Sequence, residues 1–175
     1  MKIRSTFLPA ALSAGLIFVF SAAMPALALE EGQPAPDFLL PDILEGKPAI
    51  SLSALRGKTV YVDFWASWCA PCLRSMPLIN TLYSQYKDRG FEVIASNVDD
   101  PIEDGRDFLL DTPLDYLIAA DTKTEVLEQY GVRGMPTSFL VDSEGIVRMV
   151  HIGFRDNDIA IIEAAVTGLL DAAAP

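Results

Sequence analysis

The chain opens on an unbroken apolar run from Phe7 to Ala23 behind Lys2 and Arg4, and only afterwards mixes apolar and polar positions as a folded domain does. Glu30-Glu31-Gly32-Gln33-Pro34-Ala35-Pro36 follows, and its prolines favour an extended arm over a helix. Between Asp37 and Leu52 two short apolar pieces flank Glu45-Gly46-Lys47-Pro48, the pattern of a hairpin, and Ser53 to Arg56 reads as one helical turn ended by Gly57. Thr59 to Trp65 (TVYVDFW) is dense in β-branched and aromatic residues, which predicts a central strand buried on both faces. From Cys72 to Lys87, apolar residues at Leu73, Met76, Ile79, Leu82, Tyr83 and Tyr86 follow a helical period that closes at Gly90.

Phe91 to Val98 repeats the buried-strand pattern. Asp100 is an N-cap candidate, with Pro101 at the first helical position and Glu103 as a capping-box acid, so a short helix to about Leu110 is expected. A strand over Leu114 to Ala119, a helix over Thr122 to Tyr130 and a loop over residues 131–136 come next. Thr137 to Val141 and Ile146 to Ile152 predict a hairpin across Asp142-Ser143-Glu144-Gly145, and Asn157 to about Leu170 a closing helix. This order predicts an α/β domain, a mixed central sheet flanked by helices. The acidic run from Asp99 to Asp104 lacks the spacing of a calcium loop and reads as a solvated loop and helix cap.

With 175 residues, 51% of them apolar, the chain has room for one domain plus a leader. Residues 1–28 read as a signal peptide cleaved after Ala28, at the small residues of Ala26-Leu27-Ala28. An uncleaved membrane anchor is the alternative, the apolar run being near the lower length limit for a span. Either reading carries the rest of the chain out of the cytoplasm, with residues 29–36 as the arm and 37–175 as the domain. The leader holds two cations and no acid, so cleavage moves the net charge from -11 to -13. No cluster of Lys and Arg offsets that charge, which excludes nucleic acid as a partner class.

Two cysteines exist, in Trp68-Cys69-Ala70-Pro71-Cys72. A disulfide closing so short a loop restrains the unfolded chain by only about 2 kcal/mol, so the spacing suits exchange chemistry better than stapling. The motif sits where a strand turns into a helix, and unpaired N–H groups at a helix N-terminus lower a cysteine pKa. Cys69 is therefore the expected attacking thiolate and Cys72, one turn further on the same face, the expected resolving thiol. A carboxylate within a strand as apolar as Thr59 to Trp65 should be desolvated with a raised pKa, unless it reaches solvent at the strand edge; Asp63 is that residue. Trp65 is read as core. His151, alone of its kind and without a local partner motif, is given no role.

Beyond the cysteine pair, Val62-Asp63-Phe64-Trp65-Ala66-Ser67-Trp68-Cys69-Ala70-Pro71-Cys72, with Pro77 inside the helix, resembles the active-site strand, turn and helix of the thioredoxin superfamily. Tyr130-Gly131-Val132-Arg133-Gly134-Met135-Pro136-Thr137 resembles its substrate-binding loop. Gly32-Gln33-Pro34-Ala35-Pro36-Asp37-Phe38 and an added helix and strand at about 100–120 are similar to the exported TlpA/ResA-like, redoxin-related branch. The resemblance implies a thioredoxin-like fold with an N-terminal hairpin, a cis Met135–Pro136 peptide beside the sulfurs, Asp63 as proton shuttle for Cys72, and Trp68, Met135 and Pro136 at the substrate surface. It also implies no cofactor, a monomer, disulfide-bearing exported proteins as substrates, and a membrane electron donor of DsbD or CcdA type. Cytochrome c maturation is the specialised role of the branch. Against so narrow an assignment, many branch members carry an uncharged residue at the position of Asp63, and ResA-like ones a glutamate at that of Ser75.

The Ala70-Pro71 pair lacks the histidine found between the cysteines of strongly oxidising members, which favours a reductase; an oxidase or isomerase is the alternative within the class. The peroxidatic pattern is absent, since Val62 and Ala66 stand where it needs proline and Thr or Ser. From another class, a copper or zinc carrier using the same two cysteines stays open, though zinc wants about four ligands.

Overall fold

A computed structural model describes residues 28–173. The expected leader therefore lies outside the described residues. Two strands, β1 (Leu39–Leu40) and β2 (Ile50–Ser51), form a small antiparallel hairpin. The main sheet follows: β3 (Thr59–Trp65), helix α1 (Ala70–Tyr86), β4 (Phe91–Asn97), α2 (Glu103–Asp111), β5 (Leu117–Ala120), α3 (Glu125–Gln129), β6 (Thr137–Val141), β7 (Val147–Ile152) and α4 (Asp158–Ala172). Its strand order is β5-β4-β3-β6-β7, with β3, β4 and β5 parallel and β6 and β7 antiparallel to their neighbours. This is the mixed α/β sheet of a thioredoxin-like fold.

Every residue of β3 is buried, because a strand paired on both edges and covered on both faces leaves no side exposed. Its pleat still divides the side chains between two cores. Tyr61 and Trp65 join Cys69, Cys72, Met76, Ile79 and Leu82 beneath α1 and α4. Val60, Val62 and Phe64 join Tyr130 and Phe139 on the opposite face, with the hairpin and α3. There Phe139 meets Tyr130 edge-on at 5.1 Å and Phe64 at 6.1 Å, the geometry that ring quadrupoles prefer. The entry arm runs beside the start of β7, with Gly32 donating to the Val147 carbonyl and Val147 to that of Gln33.

Several boundaries depart from the sequence expectation. Asp100 does not cap α2 and Pro101 does not open it: their peptide is cis, and the helix starts at Glu103 after Ile102. The strand expected from Leu114 begins only at Leu117, because Asp115 is held to α1 through paired bonds with Asn80. The helix expected from Thr122 shrinks to α3, since Asp121 folds over its N-terminus to accept from the Leu127 amide, and Thr124 adopts φ 57°.

Phe139→Ala removes the ring shared by Phe64 and Tyr130 and is expected to cost about 3–5 kcal/mol of stability. Urea denaturation should show a lowered midpoint at an unchanged slope.

Candidate functional site

After β3 the chain turns through Ala66, Ser67 and Trp68 before α1 begins. Cys69 is the N-cap of that helix. Its amide donates to the Ala66 carbonyl, its carbonyl accepts from the Leu73 amide, and its Sγ accepts from the Cys72 amide at 3.3 Å. A sulfur thus occupies the place of a capping oxygen, where orphan N–H groups favour negative charge. Pro71, within the first turn, costs nothing because its missing N–H would have had no partner. Cys69 and Cys72 are joined as a disulfide with Cα atoms 5.3 Å apart. Cys69 is 5% exposed and Cys72 fully buried, so an approaching group meets the Cys69 sulfur first. Trp68 beside it is 70% exposed, an aromatic surface at the mouth of the site. Trp65 is wholly buried core against Phe108, its indole Nε1 without a partner among the described residues.

Asp63 lies on β3 between Tyr61 and Trp65 and shares their face, the one that holds both cysteines. It is 4% exposed, and burial raises its carboxyl pKa from 3.8 to about 8. The alternative of a charge reaching solvent at a strand edge is therefore excluded, β3 being the central strand. Ser75, which stands where ResA-like proteins carry glutamate, is buried and donates its hydroxyl to the Cys72 carbonyl at 2.9 Å.

The Met135–Pro136 peptide is cis, and Met135 packs against the cluster containing Cys69 and Cys72. The Pro136 carbonyl accepts from the Gly153 amide at 2.8 Å, which ties the loop to the end of β7.

One group of residues shaping the site has no counterpart in the sequence expectation. Asp99, which reads in the sequence as part of a solvated loop, is 1% exposed and lies behind the cysteine turn. Its carboxylate accepts from the Ser67 amide and hydroxyl and from the Asn97 side-chain amide at 2.7 Å. Gly105 of α2 closes over this network; a Cβ there would stand 2.7 Å from Asn97 Nδ2 and 2.9 Å from Asp99 Oδ2. The one signal in the sequence is the adjacency of Asn97 and Asp99 to the end of a buried strand.

Against known proteins, the sequence pattern of the Redoxin family matches residues 30–166. The chain belongs to the Redoxin family. Among relatives, the thiol-disulfide oxidoreductase ResA of Bacillus thuringiensis is 41% identical over 119 residues, which is 68% of each chain. A Chlorobium tepidum structure described as a thiol:disulfide interchange protein DsbE shares 42% identity with a TM-score of 0.78, covering 82% of this chain and 99% of its own. The thioredoxin domain of a Bacteroides vulgatus thiol-disulfide oxidoreductase is 30% identical with a TM-score of 0.70, over 79% of this chain and 99% of that one. This redoxin is a thiol-disulfide oxidoreductase, with its two cysteines at disulfide distance.

Asp63 favours folding fully below its unfolded pKa of 3.8, and that contribution is lost as pH rises toward 8 because the folded state resists ionisation. Asp63→Asn is accordingly expected to stabilise the oxidised protein by on the order of 3–5 kcal/mol at pH 8, with the advantage fading toward pH 4. Chemical denaturation across that range measures it. Gly105→Ala, which drives a methyl into the Asn97–Asp99 network, should cost about 1–3 kcal/mol, read from the same curves.

Proposed function

We propose that this redoxin is an exported reductase of protein disulfides, acting as a monomer in the periplasm on disulfide-bearing exported proteins. The observation that carries the reading is the pairing of an outer sulfur at a helix cap with an inner one on the same face as a buried carboxyl group. Cys69 thiolate attacks a substrate disulfide, one substrate thiolate leaves, and a mixed disulfide forms on Cys69. Asp63 carboxylate takes the proton of Cys72, whose thiolate then attacks the Cys69 sulfur and expels the second substrate thiolate. The substrate gains two electrons and the cysteine pair loses them. A free thiol titrates near about 8.5, so an acid raised to about 8 exchanges a proton with it at little cost.

Trp68 and the Met135–Pro136 loop supply the surface on which an extended substrate segment lies, and Ala70 and Pro71 hold the spacing between the sulfurs. Re-reduction needs electrons from a membrane partner of the DsbD or CcdA type, which fits the apolar leader and the cleavage site read in residues 1–28. Cytochrome c or oxidase maturation is the role that the resemblance to the exported TlpA/ResA-like branch brings with it, and Asp63 and Ser75 argue against so narrow an assignment. The alternative from another class is a copper or zinc carrier using the same two cysteines, and zinc would want about four ligands.

Cys72→Ser should trap substrates as mixed disulfides on Cys69, whereas Cys69→Ser should trap none; equal trapping by both would reverse the assignment of roles. The reduction potential of the pair, set in glutathione or dithiothreitol buffers, decides direction. A value near about -270 mV supports the reductase, and one near about -120 mV turns the reading to an oxidase.

A further inference from the structure

Three segments meet around the two sulfurs. The first runs from the end of β3 through the cysteine turn into α1. The second is the loop 130–136, whose Met135 packs in the same cluster as Cys69 and Cys72. The third follows β7: the Gly153 amide donates to the Pro136 carbonyl at 2.8 Å, and Phe154 is buried in the cysteine cluster. The chain as a whole has 24 Asp and Glu against 13 Lys and Arg, yet residues 66–86, 130–136 and 152–155 hold no acid. Each of the three segments carries one arginine: Arg74, Arg133 and Arg155.

All three arginines are exposed, and none forms an ion pair among the described residues. Other cations of the chain, Lys58, Arg89, Arg106 and Arg148, are each held by a carboxylate. Arg74 Nη1 donates to the Ala70 carbonyl at 3.5 Å, which lays its guanidinium back along the first turn of α1, beside the cysteines. The acids that border the site are largely committed. Asp99 is turned inward to Ser67 and Asn97, and Asp158 accepts from the Arg155 amide and lies 3.2 Å from His151 Nε2. Asp63 is buried beneath. Asp100 and Asp156 are exposed at the margin, past the end of β4 and after Arg155. Two acids at the margin against three arginines is the reverse of the balance in the whole chain.

We propose that Arg74, Arg133 and Arg155 frame the Cys69 sulfur as a specificity device, selecting protein disulfides whose flanking residues are Asp or Glu. The inference deepens the reading of the protein as a reductase of protein disulfides and rests on it. A guanidinium meets a carboxylate through two parallel N–H donors, which fixes direction as well as adding attraction. A substrate segment on the Met135–Pro136 loop has Arg133 on the loop it lies against, and Arg74 and Arg155 on the other two segments around the sulfur. The net charge of -11 works in the other direction and attracts basic partners. That field is screened over a Debye length of about 8 Å at physiological ionic strength, so charges closer than this to the sulfur decide. A preference for acidic substrates is thus a property of the frame and opposes the sign of the whole molecule.

Single-turnover reduction of peptides by the full chain tests the frame. Three peptides share one intramolecular disulfide and carry Glu, Gln or Lys at the positions flanking it. The protein is first reduced and freed of reductant, so each turnover opens one peptide disulfide and forms that of Cys69 and Cys72. Each rate constant is divided by that of the same peptide with dithiothreitol, which removes differences in the peptides' own reactivity. At physiological ionic strength the Glu peptide is expected to react about tenfold faster than the Lys peptide, with the Gln peptide between them. Arg133→Gln should lower that ratio, and the triple variant R74Q/R133Q/R155Q should bring it to one or below. A folding defect or an altered cysteine reactivity slows all three peptides by one factor and leaves the ratio intact, so the ratio reads the frame alone. A ratio of one or less in the unsubstituted protein, or one unmoved in the triple variant, overturns the frame, while reduction of the Gln peptide keeps the reductase reading. If no peptide is reduced, the reductase reading falls and the frame with it.

Discussion

A carboxyl group placed on the central strand of a fully covered sheet is the feature around which this redoxin is arranged. β3 is bonded to β4 on one edge and β6 on the other, and Asp63 on it is left only 4% exposed. Desolvation disfavours the ion, and the group stays protonated up to about pH 8. An apolar residue would give a more stable strand. The placement makes sense as chemistry: an acid whose proton affinity matches that of a thiol, on the face of the sheet that also holds Cys69 and Cys72.

The cysteines depend on a second and more local constraint. The end of β3 and the start of α1 fix Cys69 at a helix cap, and the Cys72 amide points at its sulfur. The turn between them is short, and Asp99 braces it from behind by bonding both the backbone and the hydroxyl of Ser67. α2 closes over that brace only because Gly105 has no side chain. The helix inserted between β4 and β5 is thereby joined to the cysteine turn, and Met135 packs against the same cluster as the two cysteines.

Elements with a strong internal period are legible in the amino-acid order alone. The stripe from Leu73 to Tyr86 announces α1, and the β-branched run from Thr59 to Trp65 announces β3, because a helix face or a doubly covered strand writes its own pattern. Short elements tied by long-range bonds are not legible in this way. The Asn80–Asp115 pairing delays β5, Asp121 shortens α3, and α2 starts at Glu103 rather than at Pro101. The Asn80–Asp115 pairing spans 35 residues and leaves no trace within a window of neighbours, and the acidic run around Asp99 reads as solvated because the bond of Asp99 to Ser67 spans 32.

Adjacency along the chain is enough to specify the pair Cys69 and Cys72, their place at a strand-to-helix turn, and the presence of an acid in an apolar strand. It does not bury Asp99 behind the cysteine turn, nor bring Met135 and Phe154 into one cluster with the cysteines; folding does that. Those relations arise from the order and register in which strands far apart in sequence pair, and register is set by the packing of whole faces rather than by any one segment.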